Sequence, residues 1–437
     1  MGGGGNQAVG LKARPSGRRN MSKTITPMCP HCDPCPSPAG HGSDRIERFV
    51  GRLVAPLGGL AELAQRRFPR LVVAVNEIFL GGLVRLSLAL GILRETEIRD
   101  DDAGISNRAR VVAQEGRRIG VPIRALKRGE RGTNIFSMEI GGSKRLFEGL
   151  PHLTFEHVPA VDIDDKGLFK RRLREAGLPC PRGGVFRDGP TALRYVREEL
   201  GFPAVVKPKS GSLSRHTVCD IRTEDGLLEA VRIAQIIGDE FVVEEHIDGD
   251  VYRVAVVDGE VVAACRRERP NVVGNGRLTV GQLVDLKNLD PLRGPAQQRN
   301  YTLHKIIISP RSAAVLADQG VGPDSVPVAG EKIYLHDKVI LAAGADIHDV
   351  TDDIHPENLA MFKRVSELCP SPLVGLDFIM EDISRPHHAQ KCVVLEANSA
   401  PYIDMHHYPV TGKARNVAGR ILEYCVTSRR GDRLRSG

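Results

Sequence analysis

The sequence predicts an α+β fold (mixed α/β), with helices and antiparallel strands interleaved and no regular run of βαβ units. Three observations support it. Apolar runs of strand length, such as Phe241–Ile247, alternate with segments of helical period, such as Glu224–Ile236. Two strand-like runs, Val251–Val257 and Val261–Cys265, are joined through Asp258-Gly259, the composition of a tight hairpin. No Walker sequence and no Rossmann glycine fingerprint occurs in the 437 residues.

Taken in order, residues 1–44 read as a disordered leader. Met1-Gly2-Gly3-Gly4-Gly5 is of low complexity, and Pro, Ser and Gly dominate as far as Gly42. Within it Cys29, Cys32 and Cys35, with His31 and His41 nearby, are ligand types for Zn²⁺. The usual second knuckle is missing and prolines interrupt the segment, which favours the leader reading. Residues 45–160 are expected to form a small N-terminal α/β domain. Its apolar stretch Leu71–Leu93 raises the question of a membrane span, but Glu77 and Arg85 lie inside it and Gly81-Gly82 divides it. A strand followed by an apolar helix is the better reading. An amphipathic helix over Ala109–Ile119 and strands at Val121–Leu126 and Asn134–Ile140 follow. The third unit, 161–428, opens with a helix over Lys166–Ala176 and a strand ending at Lys207. Residues 429–437 read as a basic tail.

The chain is long enough for two or three domains and a sizeable core. Its net charge of +7 is modest and partly terminal, with Lys12, Arg14, Arg18 and Arg19 at one end and Arg429, Arg430, Arg433 and Arg435 at the other. No aromatic residues interleave with these charges, so nucleic acid is not an expected partner. With no secretory apolar core and no clear span, a cytoplasmic protein that does not engage a membrane is expected. Cys180, Cys219, Cys265, Cys369, Cys392 and Cys425 are scattered singly, mostly in apolar segments, as small buried hydrophobes are.

Two groups of residues point to chemistry. In Val393-Val394-Leu395-Glu396-Ala397-Asn398, an apolar run ends in a carboxylate and an amide two residues apart, which in a strand project from one face. Asp377, in the apolar run Gly375–Ile379, offers a third oxygen. Asp, Glu and Asn on two short strands suit Mg²⁺, which takes oxygen ligands and is often completed by phosphates. Elsewhere Phe202–Val206 leads into Lys207-Pro208-Lys209-Ser210-Gly211. A lysine ending a buried strand is costly to desolvate unless it meets an anion. Read alone, each group is also compatible with solvated strand ends.

Several longer stretches stand in a fixed order: Asn271–Val280 with Asp285–Asn288, Asp324–Glu331, Asp349–Asn358, and Asp382–Pro386 through Glu396-Ala397-Asn398-Ser399-Ala400-Pro401 to Arg415-Asn416-Val417. In this order they resemble the ATP-grasp superfamily, and within it the ATP-grasp domain of cyanophycin synthetase and bifunctional glutathione synthetase, from about Ala125 to Cys425. The resemblance implies two α+β lobes clamping ATP, with two Mg²⁺ ions, or Mn²⁺ in their place. By position, Lys166 and Lys207 resemble the pair on the α- and β-phosphates, and Ser210 and Gly211 open the loop over them. Glu244, Glu245 and Ile247 resemble the adenine hinge, with Asp250 on the ribose side. Arg253 and Arg267 resemble catalytic residues reaching the γ-phosphate or the substrate carboxylate. Asp377, Glu396 and Asn398 resemble the metal site, and Tyr402 and Asp404 lie at the substrate end. The implied activity is an ATP-dependent carboxylate–amine ligase acting on amino acids or small peptides through an acyl phosphate. The implied partners are a small-molecule carboxylate and amine, with a homo-oligomer expected from the family. Alternatives are a nucleotide-binding pseudoenzyme with a regulatory role and a small-molecule kinase.

Three departures from that pattern bear on the reading. Ser214 and His216 stand where the phosphate loop of relatives carries glycines, so the backbone has less access to φ > 0. Val251 stands where an acidic residue usually precedes Tyr252-Arg253, with Asp250 one residue early and so on the other strand face unless a bulge intervenes. After Ala400-Pro401, Tyr402 and Asp404 replace Gly and Arg, which suggests an amino or guanidino group as the partner of Asp404.

Overall fold

The computed structural model describes residues 81–151, 166–209 and 215–435, apart from 101, 103, 141, 297 and 370. The leader at 1–44, its Cys29/Cys32/Cys35 cluster, the start of the Leu71–Leu93 run, and Ser210 and Gly211 lie outside the described residues.

The N-terminal unit is a four-stranded antiparallel meander, β1 (Arg94–Glu97), β2 (Ile123–Arg128), β3 (Arg131–Ile140) and β4 (Ser143–Glu148), with helix α1 (Asn107–Arg118) against it. The Ser106 hydroxyl caps α1 by accepting from the Ala109 N–H, one of the donors a helix start leaves unpaired.

A second antiparallel sheet, in the order β5-β8-β6-β7, is built from β5 (Gly183–Phe186), β6 (Ala204–Pro208), β7 (Val218–Ile221) and β8 (Phe241–Glu245). Helix α2 (Lys166–Glu175), which precedes β5, packs its apolar side on the central sheet, while α3 (Gly189–Tyr195) and α4 (Glu224–Gln235) cover the core of this second sheet with Ala192, Leu227 and Val231.

The central sheet is also antiparallel and runs β15-β10-β9-β16-β17. It begins with β9 (Asp250–Val257) and β10 (Glu260–Glu268), joined by a turn in which Asp258 and Gly259 have φ of 52° and 72°. Both central residues of that turn are left-handed, as a tight hairpin requires. The chain then makes an excursion through β11 (Asn271–Val273), helix α5 (Val280–Lys287), β12 (Arg293–Gly294), β13 (Leu303–His304), helix α6 (Pro310–Asp318) and β14 (Lys332–Tyr334), which has its own core around Val272, Leu283 and Ile333. It returns through β15 (Asp346–Asp349), helix α7 (Pro356–Glu367), β16 (Leu373–Met380) and β17 (Cys392–Asn398).

Strand alternation splits the central sheet between two cores. Tyr252, Val254 and Val256 of β9 face Phe169 and Leu173 of α2 and Phe362 of α7. Ala255 and Val257 face the other way, against the N-terminal unit and the last helix, α8 (Val417–Arg435). The fold therefore locks α1, α8 and the central sheet into one packed layer system. Helix α8 continues through residues expected to form a basic tail, as far as Arg435. Among the described residues no helix is long and apolar enough to cross a membrane.

Candidate active site

The first wall of the site comes from α2 and the second sheet. Lys166 opens α2 and Lys170 follows one turn later on the same face. Glu244, buried on β8, accepts from Lys170 Nζ through Oε1 and lies 2.8 Å from Lys207 Nζ through Oε2. Its position requires Gly183, opposite it in register: a Cβ there would fall 2.3 Å from the Val243 carbonyl oxygen and 2.7 Å from Glu244 Cγ. Burial, and next the neighbouring Lys207 charge, push the Lys170 ammonium well below the usual lysine range. Burial lowers Lys207 as well, against the pull of the Glu396 charge. Two lysines share one carboxylate, so an anion arriving here meets a charge it can offset.

The second wall is the central sheet. In register, Asp377 of β16 stands between Arg253 of β9 and Glu396 of β17, and Gly375 stands opposite Asn398. Arg253 donates to Asp377 through Nε at 2.5 Å and Nη2 at 3.0 Å, and Arg267 Nη2 lies 3.0 Å from the same carboxylate. Burial raises the Asp377 pKa most, but the two guanidinium groups outweigh it and hold the carboxyl down at about 2. Gly375 leaves room for this arrangement, since a Cβ there would approach Pro401 Cβ to 2.5 Å and Arg253 Nη1 to 3.2 Å. Asn398 uses its amide nitrogen on the Gly375 carbonyl at 3.4 Å, which leaves its amide oxygen out of that bond. Lys166 Nζ lies 3.9 Å from Glu396 Oε2 and so links the two walls.

Between the walls lies a cleft of about 1670 Å³. Every site residue predicted from the sequence lines it, except Asp404 and the undescribed Ser210 and Gly211. Glu245 turns its carboxylate to Arg182, with Nε at 3.0 Å, and its N–H donates to the Arg182 carbonyl. The next N–H, of His246, donates to Pro203, so Ile247 is the first residue past the ladder. Asp250 stands opposite Met380 in a β9–β16 register that has no bulge, and it faces Arg266 at 3.5 Å, on the strand face away from Arg253. Tyr402 is 46% exposed in the cleft.

Asp404 departs from its expected place. It is 4% exposed and hydrogen-bonds the Thr302 hydroxyl, which in turn accepts from Asn107 Nδ2 at 2.7 Å. Burial raises its pKa, against the Thr302 bond and the Arg108 charge. A short helical turn over Ile403–His406 carries it inward, where strand-like spacing after Pro401 would have turned it outward.

His216 is buried, has a φ of 55°, and its Nδ1 lies 2.7 Å from the Ile233 carbonyl oxygen. The backbone at His216 thus takes a conformation suited to glycine although the residue is histidine.

Sequence reasoning missed two residues. Lys170 sits four residues after Lys166 on an otherwise amphipathic helix, and that spacing was a usable signal. Arg108 left none: it reaches the cleft from α1 and donates to the Ala400 carbonyl at 2.5 Å, with its guanidinium 5.0 Å from the centre of the Tyr402 ring.

The donor set at the second wall fits Mg²⁺, with two carboxylates and an amide oxygen. Glu396 and Asn398 could hold such an ion while giving up little, whereas Asp377 has both oxygens engaged by arginine. A second acidic group, Glu268 with Asp346 and His348, is already taken by Lys332, Lys287 and Arg293.

No family model matches the chain. It is 36% identical over 273 residues to cyanophycin synthetase of Trichormus variabilis, covering 62% of this chain and 30% of that protein. To the glutathione biosynthesis bifunctional protein GshAB of Clostridium perfringens it is 30% identical over 269 residues, 61% of this chain and 34% of the relative. The chain thus spans only about a third of the length of the curated relatives it matches. Among solved structures, a bifunctional glutathione synthetase from Pasteurella multocida superposes with a TM-score of 0.57 at 22% identity, over 75% of this chain and 44% of that one. The chain carries the ATP-grasp fold and, over the shared stretch, is related to the cyanophycin synthetases and bifunctional glutathione proteins.

Proposed function

We propose that the chain is an ATP-dependent carboxylate–amine ligase that forms an amide bond on amino-acid or small-peptide substrates. The observation that carries this reading is the convergence of Lys166, Lys207, Arg253, Arg267, Glu396 and Asn398 on one cleft. Lys166 and Lys207 would offset charge on the nucleotide phosphates, and backbone past the β8 ladder at Ile247 would face the base. Glu396 and Asn398, and Asp377 once it gives up one of its arginine contacts, would hold two Mg²⁺ ions, or Mn²⁺ in their place; bound there, the metal supplies charge neutralisation for the transferring phosphoryl group. Arg253 and Arg267, fixed by Asp377, would present guanidinium charge where the γ-phosphate and the substrate carboxylate meet.

In this reading a carboxylate oxygen of the substrate attacks the γ-phosphorus and ADP leaves. An amine then attacks the acyl carbon, loses a proton and expels phosphate. Walls from two sheets shield the acyl phosphate from water. A cytoplasmic location and a homo-oligomeric state belong to the same reading.

The test is ATP turnover with Mg²⁺ against a panel of amino acids and dipeptides, read as ADP, phosphate and product mass, with Glu396→Ala beside the wild type. Amine-dependent phosphate release, a product one water lighter than the combined reactants, and loss of both in the variant support the ligase. Amine-independent ADP with a phosphorylated product indicates a kinase, and ATP binding without turnover on any member indicates a pseudoenzyme.

A further inference from the structure

Among the described residues, Arg108 is the one cleft arginine whose position comes from the N-terminal unit. The first turn of α1 is bolted down around it. The Asn107 N–H donates to the Arg299 carbonyl at 2.7 Å, its side chain donates to Thr302, and Arg110 Nη1 donates to the Asn300 carbonyl at 2.7 Å. Gly149, at a φ of 71°, leaves the space that the guanidinium fills: a Cβ there would lie 2.6 Å from Arg108 Nη2.

The guanidinium is held but not neutralised. Nη1 is engaged by the Ala400 carbonyl and the plane rests beside Tyr402, while the buried Nε has no hydrogen-bond partner among the described residues. Arg253 and Arg267 in the same cleft both meet Asp377. Arg108 has no ion pair among the described residues. Asp404, whose carboxyl feels its charge, is bonded to Thr302 behind the wall. A half-buried arginine aimed into a cleft, with donors left over and a half-exposed aromatic ring fixing its plane, is built to meet a carboxylate.

We propose that Arg108, with Tyr402, determines specificity by binding the spectator carboxylate of the amine substrate, so that the acceptor is an amino acid or peptide with a free carboxylate. This rests on the ligase reading above and narrows its second substrate. Attack by the amine leaves this carboxylate unchanged, so its only role is recognition.

The test compares wild type, Arg108→Ala and Arg108→Lys with free amino-acid acceptors and with the same acceptors as carboxamides, at saturating ATP and Mg²⁺. Wild type is expected to prefer the acid. Arg108→Ala should raise KM for the acid about tenfold or more, the scale of one charge-assisted contact, leave KM for ATP within about twofold, and erase the acid-over-amide preference. Arg108→Lys should keep part of the preference, since lysine retains the charge without the planar fork. A structural role in docking α1 would lower thermal stability without changing the acid-to-amide ratio. Equal use of acid and amide by wild type, or an unchanged ratio in Arg108→Ala, would overturn this inference and leave the ligase standing. Absence of turnover in wild type would overturn both.

Discussion

Arg253 and Asp377 face one another in register across β9 and β16, joined by bonds of 2.5 and 3.0 Å. With Arg267 added at 3.0 Å, one buried carboxylate neutralises part of two guanidinium charges. Removing one side of such a pair leaves uncompensated charge in a poorly solvated place, at a cost of about 3–5 kcal/mol. Asp377→Asn is therefore expected to lower the urea midpoint far more than Glu396→Gln, whose parent carboxylate is a third exposed and lies 3.9 Å from the Lys166 ammonium. Equal midpoints would show that the Arg253–Asp377 pair carries no net stability.

Lys170 and Glu244 give a contrasting case. Glu244→Gln would leave two buried ammonium groups facing each other, and a loss of several kcal/mol is expected. Lys170→Met keeps the apolar stem and the Lys207–Glu244 contact at 2.8 Å, so its cost should be small. The double variant Lys170→Met, Glu244→Gln should lie closer to wild type than additivity allows. Additive costs in a double-mutant cycle would show the two residues to be uncoupled.

His216 reverses the usual order of small substitutions at a buried site. Alanine normally beats glycine there because it buries a methyl group and stiffens the unfolded chain. At a φ of 55°, however, alanine bears the left-handed penalty and glycine does not. His216→Gly should therefore be more stable than His216→Ala by about 1 kcal/mol, measured by denaturant unfolding. Both lose the ring contact to the Ile233 carbonyl, so that loss cancels in the comparison.

These residues also show what a one-dimensional reading reaches. The two-residue spacing of Glu396 and Asn398 already implied a shared strand face, and the Asp258-Gly259 turn implied the β9–β10 hairpin, because both follow from strand periodicity and local φ preference. Asp250 was legible for the same reason, since no bulge shifts its face. Asp404 was not: a single helical turn after Pro401 breaks the alternation, and nothing in Tyr402-Ile403-Asp404 marks it. The β11–β14 and β12–β13 ribbons pair over only three and two residues, too short to leave a period. Arg108 depends on how α1 docks against a segment some two hundred residues away, information that no local pattern holds.

Acid sensitivity should come in two stages. Burial holds His406 down at about 3 and His407 at about 4, while an unfolded imidazole titrates near 6.5. Between those values the unfolded state binds more protons than the native one, so stability rises with pH. The histidine contribution is fully present above about pH 6.5 and is lost as pH falls through 4 towards 3. Asp377, held at about 2 against an ordinary 3.8, acts lower down: its contribution is present above about 3.8 and lost as pH falls towards 2. Urea unfolding at several pH values between 7.5 and 4.5 isolates the histidine stage. His406→Asn should be less stable at pH 7.5, because it leaves a buried site imperfectly filled. Its stability should nevertheless fall less steeply on acidification, by about 1.4 kcal/mol per pH unit between 6 and 4, because a non-titrating amide takes up no proton on unfolding. Parallel slopes for wild type and variant would mean that the buried imidazole of His406 titrates in the native state as it does in the unfolded chain.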